Sequence, residues 1–433
     1  MNTISYQKQI PVRERYNVIV AGAGPAGICA AVAAARQGAR VALVERYGVL
    51  GGNLTVGAVG PILGLVSAGT MRDELMPLLG VGNNDMLGEV GVAHDMERAK
   101  LVLAEFVAQE NIEVYLQSMV MDAIMEEKTI RGVTISTKEG VFALLADTVV
   151  DCTGDGDVAF FAGAEIHKGR DDGLMQPVTL EFTLDNVDES RAVVCIGDVD
   201  NVQLNGERFL DYCKRCGDEG LLPGHIVAVR LHRTTKSGER QVNTTQANGV
   251  DSTKVADLYP AELELRRQID LLIRFFRENL PGYEQCKCVS SGATLGVRET
   301  RRVMGDYVIT AEELAAGKRF ADVVVHRAEF IVDIHNPAGA GQAEAKIQYV
   351  EPYDLPYGCF LPRGIEGLLV AGRCISGTHR AHASYRVMSI CMAMGEAAGV
   401  AAALSAKRQV TPRALGCHAV QEALIQKGVS LFD

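Results

Sequence analysis

The sequence predicts an α/β fold, with a Rossmann-like domain around a central parallel sheet and an inserted α+β domain. Residues 16–44 follow a strand–turn–helix–strand order, and residues 148–157 and 367–373 each run from an apolar strand into a glycine turn. Charged residues become more frequent in the middle of the chain, which predicts the insertion. Strands that alternate with helices indicate a parallel sheet. The predicted division is 1–168 for the first part of the Rossmann-like domain, 169–336 for the inserted domain and 337–433 for the second part.

The first strand–turn–helix unit carries three glycines at the spacing G-x-G-x-x-G. Its uncharged stretch is long enough to cross a membrane, but a spanning helix does not need this glycine spacing. Gly22 allows a tight turn, Gly24 lets the backbone approach a pyrophosphate, and Gly27 lets the helix pack on the strand. Glu45 ends the second strand close to the position, about 20 residues on, of an acid that binds a ribose. These residues predict a dinucleotide site, and the alternative is a βαβ core without a ligand.

Composition limits the classes of partner. A chain of 433 residues holds about two or three domains, and its 48% hydrophobic and 22% charged residues are ordinary for a folded protein. The net charge of −11 gives no reason to expect nucleic acid or a membrane surface as a partner. Residues 1–18 lack the apolar core of a secretory signal, which predicts a cytoplasmic location and reduced cysteines. No metal site is predicted, because the pairs Cys213 with Cys216 and Cys286 with Cys288 lack further ligands nearby.

Apolar periodicity and turn residues predict the remaining elements. Alternating runs at 114–120, 130–136 and 141–145 indicate a small antiparallel meander. The last predicted helix contains Gly395 and Gly399. Each glycine costs a helix up to about 1 kcal/mol relative to alanine, so we predict that this helix closely approaches the sheet or a cofactor. Helices are predicted at 25–37, 96–110, 260–279 and 384–406, and further strands at 16–21, 41–44 and 177–184.

Several motifs occur in a fixed order along the chain: GAGPAG, VVDCTGDGDVA, GVRETRRVMGDY, and GLLVAGRCISGTHRAHASYRVM followed by MGEAAGVAAA. Together with Glu45 and the Gly51-Gly52 loop, they resemble the FAD-dependent oxidoreductases of the glutathione-reductase-type fold. Within that fold, the chain is similar to a branch that is distantly similar to fumarate reductase flavoproteins. The resemblance extends over residues 16–404. It implies that the Rossmann-like domain binds FAD non-covalently and that the inserted domain is a substrate or cap domain.

The resemblance also implies where each part of FAD lies. Its adenosine lies at Glu45 and Arg46, and its pyrophosphate lies at the start of the first helix. Its flavin ring lies between residues 51–55 and residues 385–388, where a helix start can stabilise negative charge on the reduced ring. Arg373 stands where the superfamily often has an acid, which leaves its contact open. The implied cofactor-binding residues are Gly22, Gly24, Pro25, Ala26, Gly27, Glu45, Arg46, Gly51, Gly52, Asn53, Thr55, Val120, Thr153, Gly154, Gly372, Arg373, Tyr385, Val387 and Met388.

The densest set of titratable side chains lies beside the expected flavin ring. His379 and His382 are candidates for proton transfer, and Arg386 is a candidate contact to a carboxylate or to the flavin edge. The alternative is that these groups only bind the flavin or cap the helix. His335, where the inserted domain returns, is a further catalytic candidate. The candidate substrate-binding residues are Gln176, Arg298 and Arg301, with ion pairing of the arginines to Glu299 or Asp306 as the alternative.

Features that are missing from the sequence narrow the chemistry. No cysteine pair follows the Gly51-Gly52 loop, as a disulfide reductase would require, and no second G-x-G-x-x-G is found for an internal NADPH site. We therefore expect hydride transfer between flavin N5 and a small polar organic substrate, with an external electron donor or acceptor. A carboxylated substrate is one form of this expectation. The direction of transfer is open. The alternatives are a flavin hydroxylase and a non-catalytic FAD-bearing electron-transfer or scaffold subunit, and a homo-oligomer is compatible with each.

Overall fold

The computed structural model describes residues 4, 7–81, 92–195, 201–341, 343–344 and 348–432. Within these ranges the strands are β1 (Val12–Ala21), β2 (Val41–Val44), β3 (Ile112–Tyr115), β4 (Met119–Glu126), β5 (Thr129–Thr137), β6 (Gly140–Asp151), β7 (Ile166–Lys168), β8 (Phe182–Asp185), β9 (Gln203–Leu204), β10 (Glu207–Arg208), β11 (Arg230–Arg233), β12 (Arg240–Asn243), β13 (Lys287–Ser291), β14 (Arg301–Val303), β15 (Val323–Ala328), β16 (Tyr353–Pro356) and β17 (Leu368–Val370). The α-helices in the same ranges are α1 (Pro25–Arg36), α2 (Met71–Leu78), α3 (Met96–Ala108), α4 (Asp157–Phe161), α5 (Phe209–Asp218), α6 (Val255–Asn279), α7 (Ala311–Ala315), α8 (His379–Tyr385), α9 (Met388–Arg408), α10 (Pro412–Leu415) and α11 (Cys417–Lys427).

A central sheet organises the first half of the described chain. β3, β2, β1 and β6 are successive neighbours and run parallel. β17 runs parallel to the end of β6, where Leu368 lies opposite Val149. Strands buried on both faces of a parallel sheet are apolar throughout, as the fully buried β2 is. The carboxyl ends of β1, β2, β6 and β17 meet at one edge, where ligands bind in such sheets. The predicted α/β class with a central parallel sheet is confirmed.

The antiparallel strands of this sheet correct two predictions. The run predicted at 114–120 is divided between β3 and β4, because Gln117 has a φ of 50° and turns the chain. The runs predicted as separate strands at 141–145 and 148–151 form the single strand β6. Its first half pairs antiparallel with β5 and its end pairs with β17, while Thr148 continues the pairing with β1. One strand with two successive partners therefore joins the meander to the parallel sheet.

The helix predicted at 384–406 is also divided. α8 ends at Tyr385 and α9 begins at Met388, because Val387 has an extended backbone. A Cβ atom on Gly395 would lie 1.9 Å from the Ala26 carbonyl oxygen, and one on Gly399 would lie 2.1 Å from that of Ala30. The close approach made by these two glycines is thus to α1. Among the described helices, α9 is long and apolar enough to cross a membrane, but 89% of its apolar window is buried inside the protein.

Other boundaries shift by a few residues. α1 and α3 end shortly before the predicted ends, and α6 begins five residues before Pro260, which it contains. Proline is best tolerated near the start of a helix, where few backbone bonds are lost. The strand predicted at 177–184 is regular only from Phe182, while Val178 and Thr179 form isolated bridges.

A second core forms around the sheet β11-β12-β8-β13, with helices α5 and α6. Phe182 and Leu184 of β8 point into this core, whereas Glu181 and Thr183 belong to the opposite face, as the period of a strand requires. That opposite face is buried although it is polar. Buried side chains from Val303 to Ile334 pack in the first core. The bounds of the inserted domain stay a prediction.

The contact between α9 and α1 gives a test of the fold. Gly399→Ala should destabilise the protein by about 1–3 kcal/mol, because the added Cβ overpacks a backbone contact. Urea unfolding followed by circular dichroism measures the loss. Gly224→Ala is the control, since no heavy atom lies within 4 Å of a Cβ placed there. Equal unfolding midpoints for the two variants would contradict the packing described.

Candidate functional site

A groove of about 1090 Å³ crosses the carboxyl edge of the central sheet. Its walls are the turn between β1 and α1, the ends of β2, β6 and β17, and the first turn of α9. The residues around 294–297 of the second core cover one side. Of the predicted cofactor-binding residues, the groove brings together Gly22, Gly24, Pro25, Ala26, Glu45, Arg46, Gly52, Asn53, Val120, Thr153, Gly154, Gly372, Arg373 and Met388.

The glycines at the start of α1 have distinct roles. Gly24 is the N-cap of α1 and makes no side-chain cap, so the first N–H groups of the helix stay available for an anion. No heavy atom lies within 4 Å of a Cβ placed on Gly24, whereas one placed on Gly27 would lie 1.8 Å from the Gly22 carbonyl oxygen. Gly24 thus faces open space and Gly27 is required for packing.

Glu45 is buried where β2 ends in the groove. Its two carboxylate oxygens accept hydrogen bonds from the backbone N–H groups of Ala23, at 2.7 Å, and Tyr47, at 2.9 Å. Burial raises the pKa of Glu45 above its usual value. Through these hydrogen bonds Glu45 links the β1–α1 turn to the end of β2. Its contact with a ribose stays a prediction.

Arg373 is held firmly in the groove wall. Its guanidinium donates to the carbonyl oxygens of Gly154, at 2.8 Å, and Val297, at 2.5 Å, and pairs with Asp155. Burial acts to raise the pKa of Asp155, but Arg373 and Arg46 outweigh burial and hold that pKa below its usual value. Arg373 therefore joins β6, β17 and the second core at one point of the groove.

Five predicted cofactor-binding residues do not line this groove in the described part of the chain: Gly27, Gly51, Thr55, Tyr385 and Val387. Two of them make hydrogen bonds that hold neighbouring backbone. The Thr55 hydroxyl donates to the Leu50 carbonyl oxygen at 2.6 Å, which closes the loop that carries Gly52. The Tyr385 hydroxyl donates to the Ile375 carbonyl oxygen at 3.1 Å. Spacing along a motif does not distinguish residues that line a groove from residues that support it.

A buried polar cluster adjoins the α9 end of the groove. It contains Gln176, Arg298, Glu299, Asp333, His335, His379, His382 and Arg386. Arg386 lines the groove and donates to the Asp333 carbonyl oxygen at 3.0 Å and to Gln176 Oε1 at 3.4 Å. Arg386 Nε and Gln176 Nε2 are buried and make no hydrogen bond among the described residues. The break between α8 and α9 brings Arg386 to this position.

The three candidate histidines differ in environment. Burial, followed by the nearby Arg298, lowers the pKa of His335 to about 4, so this ring is neutral at pH 7. Burial also lowers the pKa of His382, which is 1% exposed and whose ring nitrogens have no partner among the described residues. His379 has 11% of its side chain exposed, close to the 8% of His335, and its Nδ1 lies 2.8 Å from Glu299 Oε1. His379 is the candidate that combines partial exposure with the shorter carboxylate contact.

Arg298 is buried and has no carboxylate within ion-pair distance among the described residues. Its only hydrogen bond in that part of the chain goes to the Pro177 carbonyl oxygen at 2.9 Å. Burial, followed by repulsion from Arg386, lowers the pKa of Arg298 to about 10, so it remains charged at pH 7. Arg301, predicted beside it, is not brought to the cluster. It pairs with Asp157 at 2.7 Å and lies over the Phe160 ring, because β14 carries it away.

Sequence reasoning did not identify Glu181 as a site candidate and assigned Glu299 only to ion pairing. Glu181 lies 1% exposed on the polar face of the second sheet. Its Oε2 accepts from Gln241 Nε2 at 3.2 Å and from the Gly60 N–H at 3.4 Å. Burial raises the pKa of Glu181 to about 7. The alternation of Thr179, Glu181 and Thr183 with apolar residues is the signal that could have revealed this face.

Comparison with known proteins supports the geometric description. A family model described as FAD dependent oxidoreductase matches residues 17–424. A soluble pyridine nucleotide transhydrogenase of Hahella chejuensis is 36% identical over 77 residues, 18% of this chain and 15% of that protein. A thiamine thiazole synthase of Aeropyrum pernix is 34% identical over 154 residues, 32% of this chain and 55% of that protein. The chain thus spans about half, or less, of the length of these curated relatives.

A solved structure shows the same fold. It is that of p-nitrophenol 4-monooxygenase from Pseudomonas putida, which is 13% identical with a TM-score of 0.51, covering 95% of this chain and 86% of that one. At this identity the likeness concerns the fold alone.

Because there is open space beside Gly24, a larger residue there should weaken cofactor binding without affecting the stability of the fold. Gly24→Val should abolish retention of a bound dinucleotide while leaving the unfolding midpoint nearly unchanged, because a Cβ at this position enters the groove with no heavy atom within 4 Å. Absorbance of the purified protein and thermal unfolding check the two parts. Gly27→Val is the contrasting control and should impair folding itself. A Gly24→Val protein with full cofactor content would contradict the assignment.

The environment of Glu181 predicts a pH-dependent stability. Its pKa is about 7 in the folded protein and near 4.5 when unfolded, so the folded state binds more protons between these values. The contribution of Glu181 to the free energy of unfolding therefore falls as pH rises from about 4.5 through 7. The total decrease is about 3 kcal/mol. Glu181→Gln should flatten this part of the stability curve measured by urea unfolding. The exposed Glu278→Gln should leave it unchanged, and an unchanged curve for Glu181→Gln would contradict the prediction.

Proposed function

Because the chain belongs to the FAD-dependent oxidoreductase family, we propose that it transfers a hydride between FAD and a small polar substrate that carries a carboxylate. FAD supplies the hydride donor or acceptor atom, N5, when it is bound. The chain itself must hold the cofactor, orient the substrate and carry the accompanying proton.

The groove suits FAD in shape and charge. The uncapped first turn of α1 offers N–H groups to the pyrophosphate, beside open space at Gly24. Glu45 and Val120 line the groove, and the proposal assigns the ribose to Glu45 and the adenine to Val120. At the other end, Gly52, Asn53 and the first turn of α9 at Met388 would hold the flavin.

The environment of Arg298 is the reason for proposing a substrate with a carboxylate. A buried cation without an anionic partner costs several kcal/mol, and a guanidinium matches a carboxylate with two parallel hydrogen bonds. A substrate carboxylate would supply the missing partner. Arg386 Nε and Gln176 Nε2, both buried and without hydrogen bonds among the described residues, would complete the polar contacts.

His379 is the group that we propose moves the proton. His335 and His382 are kept neutral by burial and nearby arginines, so they would line the pocket without adding charge. His379 is partly exposed and contacts a carboxylate, and we propose that it exchanges a proton with solvent after each turnover.

Anaerobic spectroscopy of the purified holoprotein tests the proposal. Hydroxy acids and amino acids are added to the oxidised flavin, and unsaturated acids to the reduced flavin, each beside its carboxamide analogue. Small carboxylates should change the flavin bands at least ten times faster than the amides. A flavin reduced only by NAD(P)H would favour a hydroxylase, and a flavin that only dithionite reduces would favour an electron-transfer or scaffold subunit. Either result would overturn the proposal.

A variant links the substrate to Arg298. Arg298→Gln should lower the second-order rate of flavin reduction by an effective carboxylate about 30-fold or more, the equivalent of about 2 kcal/mol for a lost buried charge pair. Stopped-flow absorbance measures this rate. Arg301→Gln removes a neighbouring arginine that lies outside the cluster and should leave the rate within about twofold. Equal losses in the two variants would contradict the assignment.

A further inference from the structure

Glu299 connects several members of the buried cluster. Its carboxylate is fully buried. It accepts hydrogen bonds from His379 Nδ1 at 2.8 Å, from the Gln176 N–H at 3.1 Å and from the Arg302 guanidinium. The same carboxylate thus contacts the proposed proton carrier and the residue whose amide faces Arg386.

Arg302 forms an ion pair with Glu299. It is 4% exposed and also donates to the carbonyl oxygens of Gly169, at 2.8 Å, and Gly377, at 3.1 Å. Its own position is therefore fixed by three acceptors from separate segments. An ionised carboxylate only accepts hydrogen bonds, so the nitrogen of His379 that faces Glu299 must carry a proton. A neutral imidazole carries one N–H, which leaves Nε2 of His379 with a free lone pair.

We propose that Glu299 is a positioning residue that fixes His379 in the Nδ1–H tautomer, so that Nε2 accepts the proton of the reaction. The inference rests on the proposed role of His379. In the oxidative direction the substrate O–H or N–H bond would break and its proton would pass to Nε2, while the C–H bond would break with transfer of hydride to the flavin and a C=O or C=N bond would form. The imidazolium that results is stabilised by the carboxylate at 2.8 Å and then loses its proton to solvent.

The surroundings of the His379 ring agree with this role. Nε2 makes no hydrogen bond among the described residues, and the His379 side chain is partly exposed. His379 is also the first residue of α8, whose N-cap Thr378 accepts from the Ala381 N–H. The cap fixes the backbone at His379, and the Glu299 contact holds the ring by its Nδ1.

Nuclear magnetic resonance tests the tautomer without a substrate. The FAD-loaded protein is labelled with ¹⁵N-histidine, and His379 is assigned by the loss of its signals in His379→Gln. We expect a protonated Nδ1 and an unprotonated Nε2 in the neutral ring. An Nε2–H tautomer in the unmodified protein would overturn the proposal, whatever happens to the variants.

Glu299→Ala then tests the cause. The Nδ1–H preference of His379 should be lost, while His326, whose Nδ1 lies 2.8 Å from Asp354, serves as the internal control and should keep its signals. If Glu299→Ala does not fold, Glu299→Asp keeps the acceptor and should retain the tautomer. Retention of the tautomer in a folded Glu299→Ala protein would overturn the proposal.

Kinetics separate this inference from the proposed function. With an effective carboxylate, His379→Gln should slow flavin reduction by about 10²- to 10⁴-fold, and Glu299→Gln by less. Glu299→Gln should add nothing in the His379→Gln background, because it acts through that ring. Additive losses would overturn the positioning role. Failure of every carboxylate would count against the proposed function, and the tautomer measurement would still decide the role of Glu299.

Discussion

The contact between α1 and α9 is the constraint on which the rest of the site depends. Gly395 and Gly399 bring α9 against the backbone of α1, with no room for side chains between them. Both helices therefore begin at the same edge of the parallel sheet, and both first turns line one groove. A helix start carries free N–H groups and a partial positive charge. Two such starts in one groove suit a long ligand with an anionic centre and a ring that gains negative charge.

The second constraint is the buried polar cluster, whose charged groups lie close together. Most of its ions are satisfied by one another: Arg302 by Glu299, and Arg386 by Asp333. Ionised groups removed from water cost free energy that such pairs only partly recover. Arg298 departs from this balance, since it has no carboxylate partner in the described part of the chain. Asp333 and Glu181 act to raise the pKa of Arg298 but do not form an ion pair with it, which leaves its guanidinium available to an anionic ligand.

The sequence predicts well what is local. The glycine spacing, the acid at position 45 and the apolar strands predicted the parallel sheet and most of the groove, because each depends on neighbours along the chain. The break between α8 and α9 was not predicted, since Val387 does not stand out in a run of small apolar residues. The contact between Glu299 and His379 joins segments 80 residues apart and has no sequence signature. Arg298 and Arg301, three residues apart, could likewise not be distinguished from the sequence, although β14 directs Arg301 away from the cluster that holds Arg298.

A binding measurement tests the central claim, which is that Arg298 of the buried polar cluster binds an anion beside the flavin. Difference absorption spectra of the oxidised holoprotein are recorded as acetate, malonate or acetamide is added at constant ionic strength. We predict that the carboxylates shift the flavin bands saturably and that acetamide does not, because only an anion pairs with Arg298. Flavin bands that respond equally to acetate and acetamide, or to neither carboxylate, would contradict the account.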